Sequence, residues 1–193
     1  MTQDDLDRCL ALLGEELVAK GTNRVDLVVC GGCAILSQQL GLRTTMDVDI
    51  LARLDEAGQL ILAEPLPDAI RMAADSVARL LHLAPDWLNT GPALQLAAGL
   101  PNGFRSRLVR KDFGSSLRIY FTGRYDLIHL KLFAAVDQGP GKHVTDLHGL
   151  SPSNEEMFAA AKWVITQDAA EDFHRIVART LEQLGYKDVA ARL

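Results

Sequence analysis

Two stretches decide the fold: Val28-Val29-Cys30-Gly31-Gly32-Cys33-Ala34, and further along Arg43-Thr44-Thr45-Met46-Asp47-Val48-Asp49. Ahead of the first, residues 25–30 (Val-Asp-Leu-Val-Val-Cys) are short and rich in β-branched side chains, which predicts a strand. Gly31-Gly32 reads as the turn that leaves it, and Ala34 to Leu40 as a helix closed by Gly41. A second strand is expected over 47–52, where Asp47 and Asp49 alternate with Val48 and Ile50. A strand repeats every two residues, so both carboxylates point from one face, about 7 Å apart along the backbone. Carboxylates held this way repel each other and invite a divalent cation, and Mg²⁺ accepts oxygen ligands from protein and nucleotide phosphates alike. Gly31 and Gly32 lack β-carbons and let phosphate oxygens approach the backbone. The helix that follows offers unpaired N–H groups, with Cys33 in its first turn. Arg43 and the hydroxyls of Thr44 and Thr45 stand ready to orient a phosphate tail. An isolated D-x-D also occurs on ordinary edge strands, and an isolated Gly-Gly is often only a turn. The order strand, Gly-Gly, helix, R-T-T-x-D-x-D is what points to a nucleotide site.

Outward from this centre, Leu6, Leu10, Leu13 and Leu17 recur at helical spacing over residues 4–19, ending at Gly21. Residues 68–83 are helical, with Ile70, Val77 and Leu81 towards the core. Pro85-Asp86-Trp87-Leu88-Asn89 reads as a turn holding a large aromatic. Two strands, around 107–111 and 116–121, form a hairpin through Asp112-Phe113-Gly114 that can join the sheet edge. From Tyr125 the pattern is helical, over roughly 125–137, 144–149, 153–166 and 170–184. The last carries the stripe Phe173, Ile176, Val177, Leu181 and Leu184, and Gly185 stops it. The fold expected is α+β: a small mixed sheet with helices packed on it over residues 1–123, then a helical region over 124–193 that is either a second lobe or part of the same domain.

Composition bounds the function. The 193 residues carry 25 acidic and 20 basic side chains, a formal charge of -5, so a phosphate polymer would need a local basic patch. Apolar runs are broken well before membrane-spanning length. The start Met1-Thr2-Gln3-Asp4-Asp5 lacks the basic flank of a secretory signal, and the expected location is cytoplasmic. Cys9, Cys30 and Cys33 are an odd set and no disulfide scaffold.

The Gly-Gly and D-x-D stretches together resemble the DNA-polymerase-β-like nucleotidyltransferase superfamily. Within it, the chain is similar to small bacterial nucleotidyltransferase-like proteins related to AbiEii-type toxins. The resemblance implies transfer of a nucleoside monophosphate from an NTP to a hydroxyl or other acceptor, with Mg²⁺ on Asp47 and Asp49. Asp86-Trp87-Leu88-Asn89 looks like a W-L-N feature of that group, and Lys131 with Asp146-Leu147 resembles its downstream K…D-L pattern. Well-known active members add a third carboxylate from a later strand. Its counterpart here, Leu117-Arg118-Ile119-Tyr120-Phe121, contains no acid. The toxin-like relatives use a Lys and an Asp of the helical half, which makes Lys131 and Asp146 the replacements to test. Read from the residues alone, Lys131 either sends its ammonium to phosphate or reaches bulk water. Asp146 either pairs with Lys131, contributes to the pocket or caps a short helix.

Two further patterns compete. Cys30-Gly31-Gly32-Cys33 is a C-x-x-C between strand and helix, the setting of a thiol-disulfide redox pair. Arg105, Arg107, Arg110, Lys111 and Arg118 form a basic cluster. It is either an RNA-binding face, Arg107 and Lys111 sharing one side of a strand, or a charged edge that discourages aggregation. The histidines 129, 143, 148 and 174 match no zinc signature and read as surface residues. The partners expected are a nucleotide and an RNA or protein acceptor, away from any membrane, the chain acting alone or as a homodimer. The competing class is a catalytically degenerate nucleotide-binding or regulatory protein, such as half of a toxin–antitoxin pair.

Overall fold

A computed structural model describes residues 1–41, 44–139, 141–168 and 170–193. The chain divides into two compact units, Met1–Gly123 and Arg124–Leu193. The architecture is α+β, and among the described residues no helix is long and apolar enough to cross a membrane.

The first unit opens with α1 (Gln3–Ala19). Thr2 Oγ1 accepts the Asp5 N–H at 3.3 Å while the Asp5 carboxylate accepts the Thr2 N–H at 2.8 Å, a reciprocal cap that fixes where the helix starts. Leu6, Leu10, Leu13 and Leu17 are fully buried, as their spacing requires. Gly14 sits among them because a β-carbon there would collide with the Phe113 carbonyl. The other elements of this unit are β1 (Val25–Cys30), α2 (Gly31–Ser37), β2 (Val48–Leu54), β3 (Leu60–Ile61), α3 (Asp68–Leu81), β4 (Leu88–Asn89), α4 (Leu94–Ala98), β5 (Val109–Phe113) and β6 (Leu117–Phe121).

The strands form one mixed sheet in the order β3-β2-β1-β6-β5, with β4 also paired to β2. β1 is central, antiparallel to β2 and parallel to β6. Its residues Leu27, Val28, Val29 and Cys30 are all buried, which is what a strand covered on both faces demands. The pairing slips between Val28 and Val29, whose partners are Ala52 and Ile50, so Leu51 of β2 stands in a bulge. That extra residue lets Val48 and Ile50 point inward before the bulge and Leu51 and Ala52 be buried after it.

Three expectations need correction. The helix placed at 34–40 begins on Gly31, whose φ of +73° makes the turn within the first helical residue, and it ends at Ser37 because Gln39 adopts a φ of +55°. Gly41 closes nothing. The strand around 107–111 starts only at Val109, since residues Phe104–Arg107 form a 3₁₀ turn. The segment 85–89 is more than a turn: Leu88–Asn89 is a short strand parallel to the start of β2.

The second unit is helical: α5 (Arg124–Gln138), α6 (Lys142–Leu150), α7 (Asn154–Ile165), α8 (Glu171–Gln183) and α9 (Lys187–Ala190). α5 is its centre, burying Leu127, Ile128 and Leu132, and it packs against α6, α7 and α8. Ser153 and Glu156 form a second reciprocal cap at α7, and the Arg124 guanidinium grips Glu156 and the Leu150 carbonyl. In the α8 stripe Val177, Leu181 and Leu184 are buried, whereas Ile176 is exposed.

Candidate functional site

One end of the first unit's sheet gathers the residues of both deciding stretches. Antiparallel pairing sets Asp49 opposite Cys30, the residue at which β1 turns into α2. A β-carbon on Gly31 would run into the Asp49 carboxylate, so the missing side chain serves twice: it permits the left-handed turn and seats the Asp49 side chain against it. The cradle expected for phosphate is thus occupied at Gly31 by the protein's own carboxylate. Gly32 follows in the first turn of α2 and is buried.

Asp49 is fixed from its other side by a residue that sequence reasoning gave no role. Asn89 lies opposite Asp49 in the parallel β2–β4 register, and its Nδ2 donates to Asp49 Oδ1 at 3.1 Å. The neighbours of Asn89 hold it there. Trp87 is buried, its Nε1 donates to the Ala74 carbonyl at 3.1 Å, and its own carbonyl accepts the Val48 N–H at 2.6 Å. The W-L-N run was the only sequence signal for this arrangement.

Asp47 immediately precedes β2 and, like Asp49, is partly exposed, while Val48 between them is buried. Burial thus alternates over Asp47, Val48 and Asp49, with Val48 turned into the core. Thr45 is buried, and its hydroxyl lies 3.1 Å from the Asp47 carbonyl and 3.3 Å from Asp47 Oδ1. Its backbone is tied to Met1 through the Thr45 N–H and carbonyl. Thr45 thus supports Asp47 from inside the fold and does not present a hydroxyl to solvent. Thr44 is exposed, and Arg43 lies outside the described residues.

Cys33 is fully buried, and its thiol donates to the Cys30 carbonyl at 3.1 Å. Burial pushes that thiol up to about 12; the Asp49 backbone N–H pulls the other way, and the Asp49 and Asp47 carboxylates add to the rise. A redox C-x-x-C needs a thiol made acidic and accessible. Here Cys33 is neutral, Cys30 is 5% exposed, and neither is in a disulfide. The geometry speaks against redox chemistry: the cysteines are small apolar fillers around a tight turn.

β6 pairs with β1 and ends beside the same turn, with Phe121 opposite Val29. No acid lies on it. The next residue, Thr122, is buried and donates its hydroxyl to the Val29 carbonyl at 3.0 Å, while its own carbonyl accepts from Gln38 at 2.8 Å. The end of β6 is thereby closed by neutral hydrogen bonds.

Lys131 and Asp146 belong to the second unit, where they meet each other. The Lys131 ammonium lies 2.6 Å from Asp146 Oδ2, with side chains 7% and 1% exposed, tying α5 to α6. His129 is buried, against the expectation of a surface residue; its Nδ1 lies 2.8 Å from the Tyr125 carbonyl, and its ring contacts Tyr125 and Trp163. The basic cluster is largely spent within the first unit. Arg110 and Arg118 bind Asp112, Lys111 binds Asp7 at 2.7 Å, and Arg105 and Arg107 donate to the carbonyls of Gly58 and Asn102. Arg107 and Lys111 do not share a strand, because Arg107 lies in the 3₁₀ turn before β5.

A family model described as nucleotidyltransferase of unknown function matches residues 10–141. The chain belongs to this family. The match covers the Gly-Gly turn, both aspartates, the W-L-N run and Lys131, and stops short of Asp146. Comparison with the curated proteins and with the solved structures returned no match.

Among the described residues no group of three or more His, Cys, Asp or Glu is placed to hold a metal ion. Two partly exposed carboxylates are nonetheless a suitable donor set for Mg²⁺, which is usually held by one or two carboxylates and completes its shell with waters and substrate phosphates.

Proposed function

We propose that this end of the first unit is a Mg²⁺-dependent nucleotidyl-transfer site, with Asp47 and Asp49 as the residues that would hold the cation and Gly32 and Thr44 beside the phosphates. The observation that carries the reading is the seating of Asp49. Its carboxylate rests against Gly31, is gripped by Asn89 and stands one strand period from Asp47. A D-x-D on a casual edge strand has no reason to be held from two sides. Family membership supports the same class of chemistry.

In the reaction an acceptor oxygen forms a bond to the α-phosphorus of an NTP as the bond to the β-phosphate bridging oxygen breaks. Pyrophosphate leaves, and the acceptor proton passes to solvent or a nearby base. A bound Mg²⁺ would supply charge neutralisation at the phosphates. The chain's own contribution is to hold two carboxylates in place without reorganisation, with Cys33 kept neutral beneath them. RNA, protein and small hydroxyl compounds are the acceptor classes to screen. An RNA acceptor bound at β5 and β6 would have to compete with the surface ion pairs that Arg110, Lys111 and Arg118 already make.

A second reading, nucleotide binding without turnover, is favoured by the acid-free β6 strand and by Thr122 at its end. The resemblance to toxin-type proteins leaves room for Lys131 and Asp146 in chemistry, although their ion pair already explains their burial. Incubation of the chain with α-labelled NTPs and cell lysate, beside an Asp47→Asn plus Asp49→Asn variant, separates the readings. Label transferred by the native chain and absent with the variant supports the enzyme; Mg²⁺·NTP binding without transfer supports the passive protein.

A further inference from the structure

The proposed cation site rests on a side chain that makes no claim to touch the cation itself. Asn89 has two polar atoms, and each has a defined partner. Its Oδ1 accepts the Gly91 N–H at 3.0 Å, and its Nδ2 donates to Asp49 Oδ1 at 3.1 Å. An amide's oxygen and nitrogen are distinguished by what surrounds them. The Gly91 backbone N–H can only donate, so the amide oxygen must face it and the NH₂ group must face Asp49. The orientation is set by the backbone, and it leaves Asn89 presenting a donor to a carboxylate.

The backbone route to this position is equally specific. β4 is only two residues long and is parallel to the strand it joins, with Val48 paired to Leu88 and Asp49 to Asn89. So short a strand has little stability of its own. Its placement comes from the buried Trp87 and Leu88, which precede Asn89, and from the 3₁₀ turn Gly91–Ala93 that follows. Anchors on both sides thus bring one amide to one carboxylate.

We infer that Asn89 is a positioning residue for the cation: by donating to Asp49 Oδ1 while Oδ2 lies against Gly31, it fixes the carboxylate's rotation. The inference rests on the metal-site reading proposed above and adds to it a residue that neither the D-x-D nor the Gly-Gly turn includes. Outer partners of this kind, when removed, weaken metal affinity roughly 10-fold or more.

The test uses Mn²⁺ alone with the full chain, following paramagnetic broadening of the Gly31 and Asp49 amide signals and deriving affinity from the titration. Asp49→Asn serves as the site control. Asn89→Leu removes both polar atoms and is expected to weaken Mn²⁺ binding about tenfold. Asn89→Asp keeps the acceptor for the Gly91 N–H but replaces the donor with a negative oxygen beside Asp49. It should hold the turn and bind Mn²⁺ more tightly than the native chain, the cation taking the place of the lost N–H. A purely structural role in the turn would weaken Mn²⁺ binding in Asn89→Leu only together with displaced Gly91 and Val48 amide signals, and that result would overturn the positioning role; the positioning role predicts the loss with those signals unmoved. Native affinity in Asn89→Leu, or equal losses in both variants, would overturn the positioning role while leaving the aspartate site standing. Mn²⁺ broadening that is absent in the native chain, or unchanged in Asp49→Asn, would overturn the metal site and the positioning role together.

Discussion

Gly31 and Asp49 are the pair on which the site turns. Alanine at Gly31 meets a backbone φ of +73° and a collision with the Asp49 carboxylate. The left-handed backbone alone costs about 1–2 kcal/mol. Gly31→Ala should therefore lower urea stability by at least that much and displace Asp49, weakening divalent-cation binding in the same variant. Cys33 gives a pH prediction. Its thiol is raised by burial from 9.0 to about 12, so the unfolded chain loses this proton above pH 9 while the folded chain keeps it. Stability from this group is complete below pH 9 and falls as pH rises towards 12. Urea melts between pH 8 and 10.5 should show Cys33→Ala losing stability less steeply than the native chain. A thiol reagent at pH 8 should likewise leave native Cys33 unmodified and label it after unfolding. Much at this scale was legible in sequence. Alternation put Val48 in the core and left Asp47 and Asp49 partly exposed on either side of it. The burial of Thr45 was not legible, since its partner is Met1, 44 residues earlier in the sequence.

At the scale of elements, β4 was invisible because nothing local makes Leu88–Asn89 a strand; only the free edge of β2 does. The α2 boundary slipped for a different reason. A glycine pair reads as a break, yet Gly31 makes its turn and starts the helix in one residue. By contrast α1 and β1 were plain, their patterns matching what the core requires of them. The buried Lys131–Asp146 pair joins α5 to α6, and removing one partner strands the other's charge. Lys131→Met alone should cost about 3–5 kcal/mol in chemical denaturation, whereas Lys131→Met with Asp146→Leu should recover most of it. Should that double variant fold well and still transfer label in the assay above, the pair is structural and the resemblance to the toxin-type proteins does not extend to its chemistry. At α7, Ser153→Ala removes one half of the reciprocal cap and should lower stability by about 1 kcal/mol.

At the scale of the molecule, the α+β class followed from a strand-rich beginning and a helix-rich end, and the family match confirms the kind of protein to which the two deciding stretches belong. The acceptor was not legible, and the reason is physical: the basic residues that suggested one are paired with Asp7, Asp112 and backbone carbonyls. A net charge of -5 makes a bound anion depend on its cation, so nucleotide should bind far more weakly when Mg²⁺ is withheld. The most direct measurement is equilibrium binding of a non-hydrolysable NTP at millimolar concentration, with and without Mg²⁺, to the native chain and to the Asp47→Asn plus Asp49→Asn variant. The account predicts Mg²⁺-dependent binding to the native chain that the folded variant loses. Failure of the native chain to bind Mg²⁺·NTP, or equal binding by the variant, would contradict it.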